Sequence, residues 1–159
     1  YMILGDASPT GMISALDAFH ELTQRYPDLP SPTFLMTNLW EEWQDAVLAA
    51  ADLDFILLTN VDFVWVSTGN YIEQREMLAW MVQNSPVPVF ALSNQAVVYG
   101  AVASLVPSGY DQGVKAAEIA IRIAQGTSPA AIAPDLTAGN LLVMNLAAAE
   151  NWNLSLIHI

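Results

Sequence analysis

The chain has 159 residues, 54% hydrophobic and 13% charged, which is enough apolar material for one packed domain and too much for a disordered one. Its formal net charge of −12, from 16 acids against 4 bases, argues against partners built of phosphate, whether nucleic acid or an anionic membrane surface. The lack of cysteine excludes thiol catalysis, disulfides and Cys-zinc sites, and two histidines, His20 and His158, are too few for a multi-His metal site.

Residues 2–5 read as a short apolar strand leading into Asp6-Ala-Ser-Pro-Thr-Gly11. Over 12–26, Ile13, Leu16, Phe19 and Leu22 recur at three-residue steps, which predicts a helix capped by Ser8 with Pro9 at its first position. Pro27, Pro30 and Pro32 stiffen the connection to a second strand at 34–37. A helix is expected over 39–51, with Asn38 as a candidate cap and Glu41 and Glu42 favourable in its first turn. The Phe-Ile-Leu-Leu run at 55–59 predicts a third strand buried on both faces. Residues 63–70 fit either a strand extension or a long loop. A helix over 72–84, a fourth strand within 85–93 and a fifth over 101–106 follow. A Pro-Ser-Gly turn then opens a helix over 111–125, stopped by Gly126. Residues 127–139 are a Pro/Ala-rich connection, 141–145 a last strand and 146–152 the start of a helix. The longest charge-free run, 77–110, carries three prolines and several Asn, Gln and Ser, and is not a membrane span.

Apolar strands alternating with helices predict an α/β fold, a doubly wound parallel sheet in three α/β/α layers. In such sheets ligands gather at the carboxyl ends of the strands. Here those ends carry small polar side chains. Ser8 and Thr10 border a helix N-terminus suited to a carboxylate or phosphate, or Ser8 is a plain cap. Asp6 either orients this loop or faces the cleft. Asn60 and Asp62 follow the third strand and suit a ligand ammonium, or form a solvated turn. Asn94 and Gln95 end the fourth strand, as ligand contacts or hinge hydrogen bonds. Trp40, Trp43 and Trp80 read as packing residues, and Trp65 as the tryptophan whose loop lies near the cleft. No Gly-x-Ser-x-Gly elbow, phosphate loop or dinucleotide fingerprint is present, so no catalytic residue, cofactor or metal is expected.

The stretch PVPVFALSNQAVVYGAVASLVPSGYDQGVKAAEIAIRIAQGTSPAAI, residues 86–132, resembles the C-terminal part of bacterial ABC-transporter substrate-binding proteins. The shared pattern is a Pro-led apolar strand, Gly100-Ala101, a Tyr-x-x-Gly turn at 110–113, an Ala-rich helix ending at Gly126 and Pro129-Ala-Ala-Ile132. LVMNLAAAENW, residues 142–152, is similar to the closing strand and helix of that family. The resemblance implies a two-lobed periplasmic-binding protein of the first class, of which residues 1–153 are the C-terminal lobe. Residues 107–126 would pack on a missing N-terminal lobe, presenting Val114, Ala117, Ile121 and Ala124 to it. It also implies a small-molecule ligand, amino-acid-like if an anion sits at Ser8–Thr10 and an ammonium at Asp62, an ABC permease as partner, and an extracytoplasmic location. The family often carries Asp-Asn near the third strand end, where this chain has Asn60-Val61-Asp62.

The alternatives are the sensing domain of a membrane histidine kinase, since similar domains serve there, and a small α/β enzyme or receiver-like domain. A receiver would need clustered acids at the first strand end and a lysine late in the sheet; Asp6 is present, but Lys115 falls within a helix. No signal peptide is visible and the first residue is Tyr1, so the true start is expected upstream. Residues 154–159, LSLIHI, resemble the translation of a transposon adapter end from DNA library preparation. The expectation is a metagenomic fragment whose native sequence stops near Asn153, the alternative being a genuine terminal strand; His158 is given no role.

Overall fold

No residue of strand β1 (Met2–Gly5) is exposed. It pairs in parallel with β2 (Thr33–Met36) on one side and β3 (Ile56–Leu58) on the other. The computed structural model describes residues 1–59, 61, 64–133 and 139–155. Strands β6 (Val89–Ala91) and β7 (Ala103–Pro107) continue the parallel sheet beyond β3. Strand β8 (Asn140–Met144) closes it, giving the order β2-β1-β3-β6-β7-β8. A separate antiparallel hairpin joins β4 (Val64–Trp65) to β5 (Tyr71–Ile72).

Successive side chains of a strand point to opposite faces, so each parallel strand feeds two cores. Met2, Leu4, Ile56, Leu58, Val89 and Ala91 pack with Trp43, Val47, Met77 and Met81 of α2 (Trp40–Leu48) and α3 (Gln74–Asn84). Tyr1, Ile3, Phe55 and Leu57 face the other way, towards Ala15, Phe19 and Leu22 of α1 (Pro9–Arg25). On that same side α6 (Leu146–Asn151) sets Ala148 and Ala149 against Val102, Ala103 and Phe90. Phe90 meets Phe55 edge-on and links the two clusters. The molecule is therefore the expected three-layer α/β/α sheet.

The helix ends follow local chemistry. Ser8 caps α1, accepting from the Gly11 amide at 3.0 Å, with Pro9 at the first helical position. Ser108 caps α5 (Gly109–Ala124) through the Asp111 amide, and Gly126, at φ 98°, follows its C-cap in the left-handed conformation that glycine tolerates. Asn145 caps α6 through the Ala148 amide.

Three features differ from the sequence-based expectation. Strand β8 is antiparallel to β7, because a residue pattern reports burial and not chain direction. A short helix α4 (Asn94–Val98) starts where Asn94 and Gln95 were expected to end a strand. Asn38 does not cap α2, whose N-cap is Leu39 without a side-chain bond; the Asn38 side chain is engaged elsewhere, as described below. Residues 156–159, His158 among them, lie outside the described residues.

The β7–β8 pair runs past the sheet. Only Ala103 and Ser104 of β7 pair with β6, whereas the β7–β8 register continues to Pro107↔Asn140. The outer half of this ribbon exposes Leu105, Leu141 and Leu142 and leads straight into α5. No residue of α5 is buried, and Tyr110, Val114, Ile121 and Ile123 are exposed along it.

Trp43, fully buried, donates its indole N–H to the Thr37 carbonyl at 2.9 Å and so fixes α2 under the end of β2. Trp43→Phe leaves that carbonyl unpaired and opens a small void. The expected loss of stability is about 1–3 kcal/mol, read as a fall in the urea midpoint at constant slope; an unchanged midpoint would contradict this role.

Candidate ligand site at the carboxyl ends of the strands

The parallel strands β1, β2, β3 and β6 all end on one rim. At the end of β1 the chain turns at Asp6, which is fully buried. Its carboxylate accepts from the Ser8 amide at 3.0 Å and from the Ser8 hydroxyl. A Cβ on Gly11 would run into both the Asp6 carboxylate and its main-chain carbonyl, so the close approach of α1 to this turn requires glycine. Asp6 thus orients the loop. Ser8 spends its hydroxyl on the cap and on Asp6, and the Ser8 carbonyl takes the Met12 amide at 2.9 Å. Thr10 stands exposed at the helix start.

Asn38, just beyond β2, joins three loops. Its side-chain oxygen accepts from the Ala7 amide at 2.8 Å, and its main-chain carbonyl accepts from the Trp65 amide at 2.7 Å. The ends of β1 and β2 and the β4–β5 hairpin are thereby held together. Beside it the buried Thr37 hydroxyl donates to Glu42 and accepts from the Leu39 amide at 3.1 Å.

The hairpin has two unlike faces. Val64 is buried and Ile72 packs on the main core, whereas Trp65 and Tyr71, paired across the strands, are 44% and 41% exposed. Their rings meet edge to face, with centroids 5.7 Å apart and planes at 72°. The turn is pinned by Glu41, whose carboxylate accepts from the Ser67 amide at 3.0 Å and the Ser67 hydroxyl at 2.8 Å. The base of the hairpin is held by Gln74, whose side-chain amide donates to the Val61 carbonyl at 2.7 Å. The Ser67 amide, Glu41's own amide and the Ser67 hydroxyl, in that order of weight, hold the Glu41 carboxyl below the ordinary glutamate range.

Of the six residues expected at the site, Ser8 and Thr10 lie at the β1 end, and Asn94 and Gln95 open α4 beyond β6 with both residues exposed. Asn60 and Asp62 lie outside the described residues. Sequence reasoning took Asn38 for a helix cap and missed it as a connector. Trp40 and Trp80 pack edge to face at 5.2 Å, so only Trp65 of the four tryptophans considered sits exposed at the rim.

Among the described residues no three His, Asp or Glu converge as a metal site, and no helix is long and apolar enough to cross a membrane. A groove of about 490 Å³ lies at the opposite, amino ends of β3 and β6, between Leu22, Asp54, Phe55, Leu57, Pro88, Phe90 and Leu154. Its lining is almost wholly apolar, whereas small-molecule sites add a few polar groups that orient the ligand. The polar strand-end rim has that mixture.

Residues 45–157 match the family described as ABC transporter substrate binding protein, and the chain belongs to that family. It is a family of substrate-binding proteins, not of enzymes. The fold is similar to three solved structures. A conserved domain protein from Vibrio cholerae shares 21% identity over 99% of this chain and 51% of its own, with a TM-score of 0.61. The ABC domain in complex with L-Trp from Streptococcus pneumoniae shares 16% identity over 97% of this chain and 52% of its own, at 0.59. A substrate binding protein with adhesive properties from Clostridium difficile, in a ligand-free, open form, shares 14% over 97% and 50%, at 0.64. The chain thus spans about half the length of each of these structures. No curated protein matches it.

A carboxyl lowered by contacts made only in the folded state stabilises that state while ionised. This contribution is complete above the ordinary value of 4.5 and is lost as pH falls through the lowered one. Ser67→Ala removes one of the contacts. The Glu41 side-chain carbon, followed by NMR through an acid titration, should then titrate closer to 4.5; an unmoved midpoint would show that the hydroxyl contributes nothing.

Proposed function

We propose that residues 1–153 are the C-terminal lobe of a two-lobed solute-binding protein that captures a small organic molecule between its lobes and delivers it to an ABC permease outside the cytoplasm. The ligand enters over the strand-end rim, and binding shifts an open–closed equilibrium because the closed form makes contacts with the ligand that the open one lacks. The observation that carries this reading is the join of Ala7, Asn38 and Trp65, which gathers the strand ends of a substrate-binding family member into one polar rim. The protruding β7–β8 ribbon and α5 support the second half of the reading. Their exposed Leu105, Leu141, Leu142, Val114 and Ile121 form an apolar surface of the kind that marks an interface, and residues 107–126 would dock there on the N-terminal lobe.

The ligand class we favour is amino-acid-like. In this reading Thr10 at the start of α1 would take a ligand carboxylate, Asp62 and Asn60, by residue type, an ammonium, and Asn94 and Gln95 further polar contacts. The L-Trp bound to one structural relative is in keeping with this class.

Calorimetric titration of the complete two-lobed protein with amino acids, purines and sugars tests the reading. An amino acid should bind; binding of sugars alone would refute the ligand class. Hydrogen exchange on the same protein tests the docking. Amides of Gly109–Ala124 should be as protected as those of α1, and exchange typical of an undocked surface helix would refute it.

A further inference from the structure

The charges of this chain are unevenly placed. Residues 77–110 and 136–149 contain no Asp, Glu, Lys, Arg or His, although the chain carries 16 acids. The fold brings the described parts of these two runs together as one side of the molecule. Most of α3, then β6, α4, β7 and β8, and α6 up to Ala149 make up that side, with Glu150 at its border. Towards the carboxyl ends of the strands it meets the rim and the ribbon. Towards the amino ends it has no part in capturing a ligand. There the end of α3, the turn after α4 and the start of α6 enclose an open hollow of about 410 Å³, lined in part by Val82, Gln83, Gly100, Asn145 and Trp152 and by no charged residue. Asn145 braces it. Its side-chain amide donates to the Val97 carbonyl at 3.2 Å, and its side-chain oxygen accepts from the Ala148 amide at 3.0 Å, so α4 and α6 are tied together. Gly100, at φ 115°, runs so close to Val82 that a Cβ there would meet the Val82 side chain. Val98 and Tyr99 immediately precede Gly100, and Leu146 follows Asn145, so their side chains stand at the margin of the hollow. Val98 is 80% exposed, and Tyr99, Leu146 and Trp152 are exposed as well.

Exposed apolar side chains grouped about a braced, uncharged hollow have the composition of an interface core. Charge decides what covers it. Two copies of a chain with a net charge of −12 repel one another over most of their surfaces, and like charges set face to face across a contact are costly. A face without charge avoids that cost, and a second copy brings the same apolar patch to it. A basic partner would instead be drawn to the acidic surfaces elsewhere on the molecule. We propose that Val98, Tyr99, Leu146 and Trp152 form an isologous contact between two copies of this protein, in which the Val98 side chain of each copy enters the hollow of the other. The contact lies at the amino ends of the strands, so the strand-end rims of both copies stay open, and it is independent of which ligand the cleft takes.

Sedimentation equilibrium of the full-length protein tests this. An interface of ordinary size associates at micromolar concentration or tighter, so a dimer should be present at tens of micromolar. Added salt should leave the dimer intact or strengthen it, because the contact contains no ion pair and salt screens the repulsion between the copies. Val98→Glu places a charge against an apolar wall twice in each dimer and should weaken association at least about tenfold, whereas Val98→Leu should preserve it. Leu146→Glu, on a different element, should act as Val98→Glu does. Thermal midpoints compared at dilutions where every form is monomeric should match, since both side chains are exposed in the monomer, and this separates loss of the contact from loss of the fold. A protein that stays monomeric at every concentration overturns the proposal. So does a dimer that both glutamate substitutions leave unchanged, or one that salt dissociates.

Discussion

Strand β1 has no free side. Its edges are taken by β2 and β3, and both of its faces are covered, so Met2–Gly5 is wholly buried. Buried backbone must satisfy its hydrogen bonds within the sheet, and side chains pointing both ways need a layer of helices on each face. Parallel partners add a further demand, since each return to the sheet requires a crossover, which α1 and α2 supply on opposite faces. The consequence for function is positional. Every parallel strand delivers its following loop to the same rim, and the chain's polar turn residues are brought there by topology.

The loop tips at the rim are cross-braced to one another. Asp6 folds back onto Ser8 and demands a glycine at position 11. Asn38 ties the first two strand ends to the hairpin, and Glu41 secures the hairpin turn. These bonds fix backbone at the surface, where loops are ordinarily the mobile part of a fold. The opposite behaviour is seen at the β7–β8 ribbon and α5, where apolar side chains lie on the surface without cover from the other described residues. A braced polar rim and an apolar flank are thus the two contrasting surfaces of the described residues.

Much of this was legible in the residues. The apolar run before Asn60 reads as a strand, and β3 is one, with Ile56 and Leu58 buried on one face and Leu57 half-buried on the other. The helical spacing of Ile13, Leu16, Phe19 and Leu22 located α1, and the Ser8-Pro9 pair located its start. Gly126 marked the end of α5 because a left-handed residue is needed there. The family followed from motifs between Pro86 and Ile132, where turn residues and apolar spacing coincide. Other features had no local signal. The hairpin strands are two residues each, too short for any alternation to register. Helix α4 is five residues long, too short for a helical repeat to register. Asn38 is a good helix cap by type, and only the position of Ala7, 31 residues away in sequence, decides that its oxygen is used elsewhere. The side chains that make the rim were thus visible one at a time, while their joining depended on tertiary contacts.

The central claim is that the ligand sits over the carboxyl ends of the strands. Amide chemical-shift mapping on the complete protein with a saturating amino-acid ligand tests it most directly. The account predicts the largest changes at Ala7, Thr10, Asn38 and Trp65, with Phe55 and Leu154 in the apolar groove at the amino ends undisturbed. Changes concentrated around Phe55 and Leu154, with the rim silent, would contradict it.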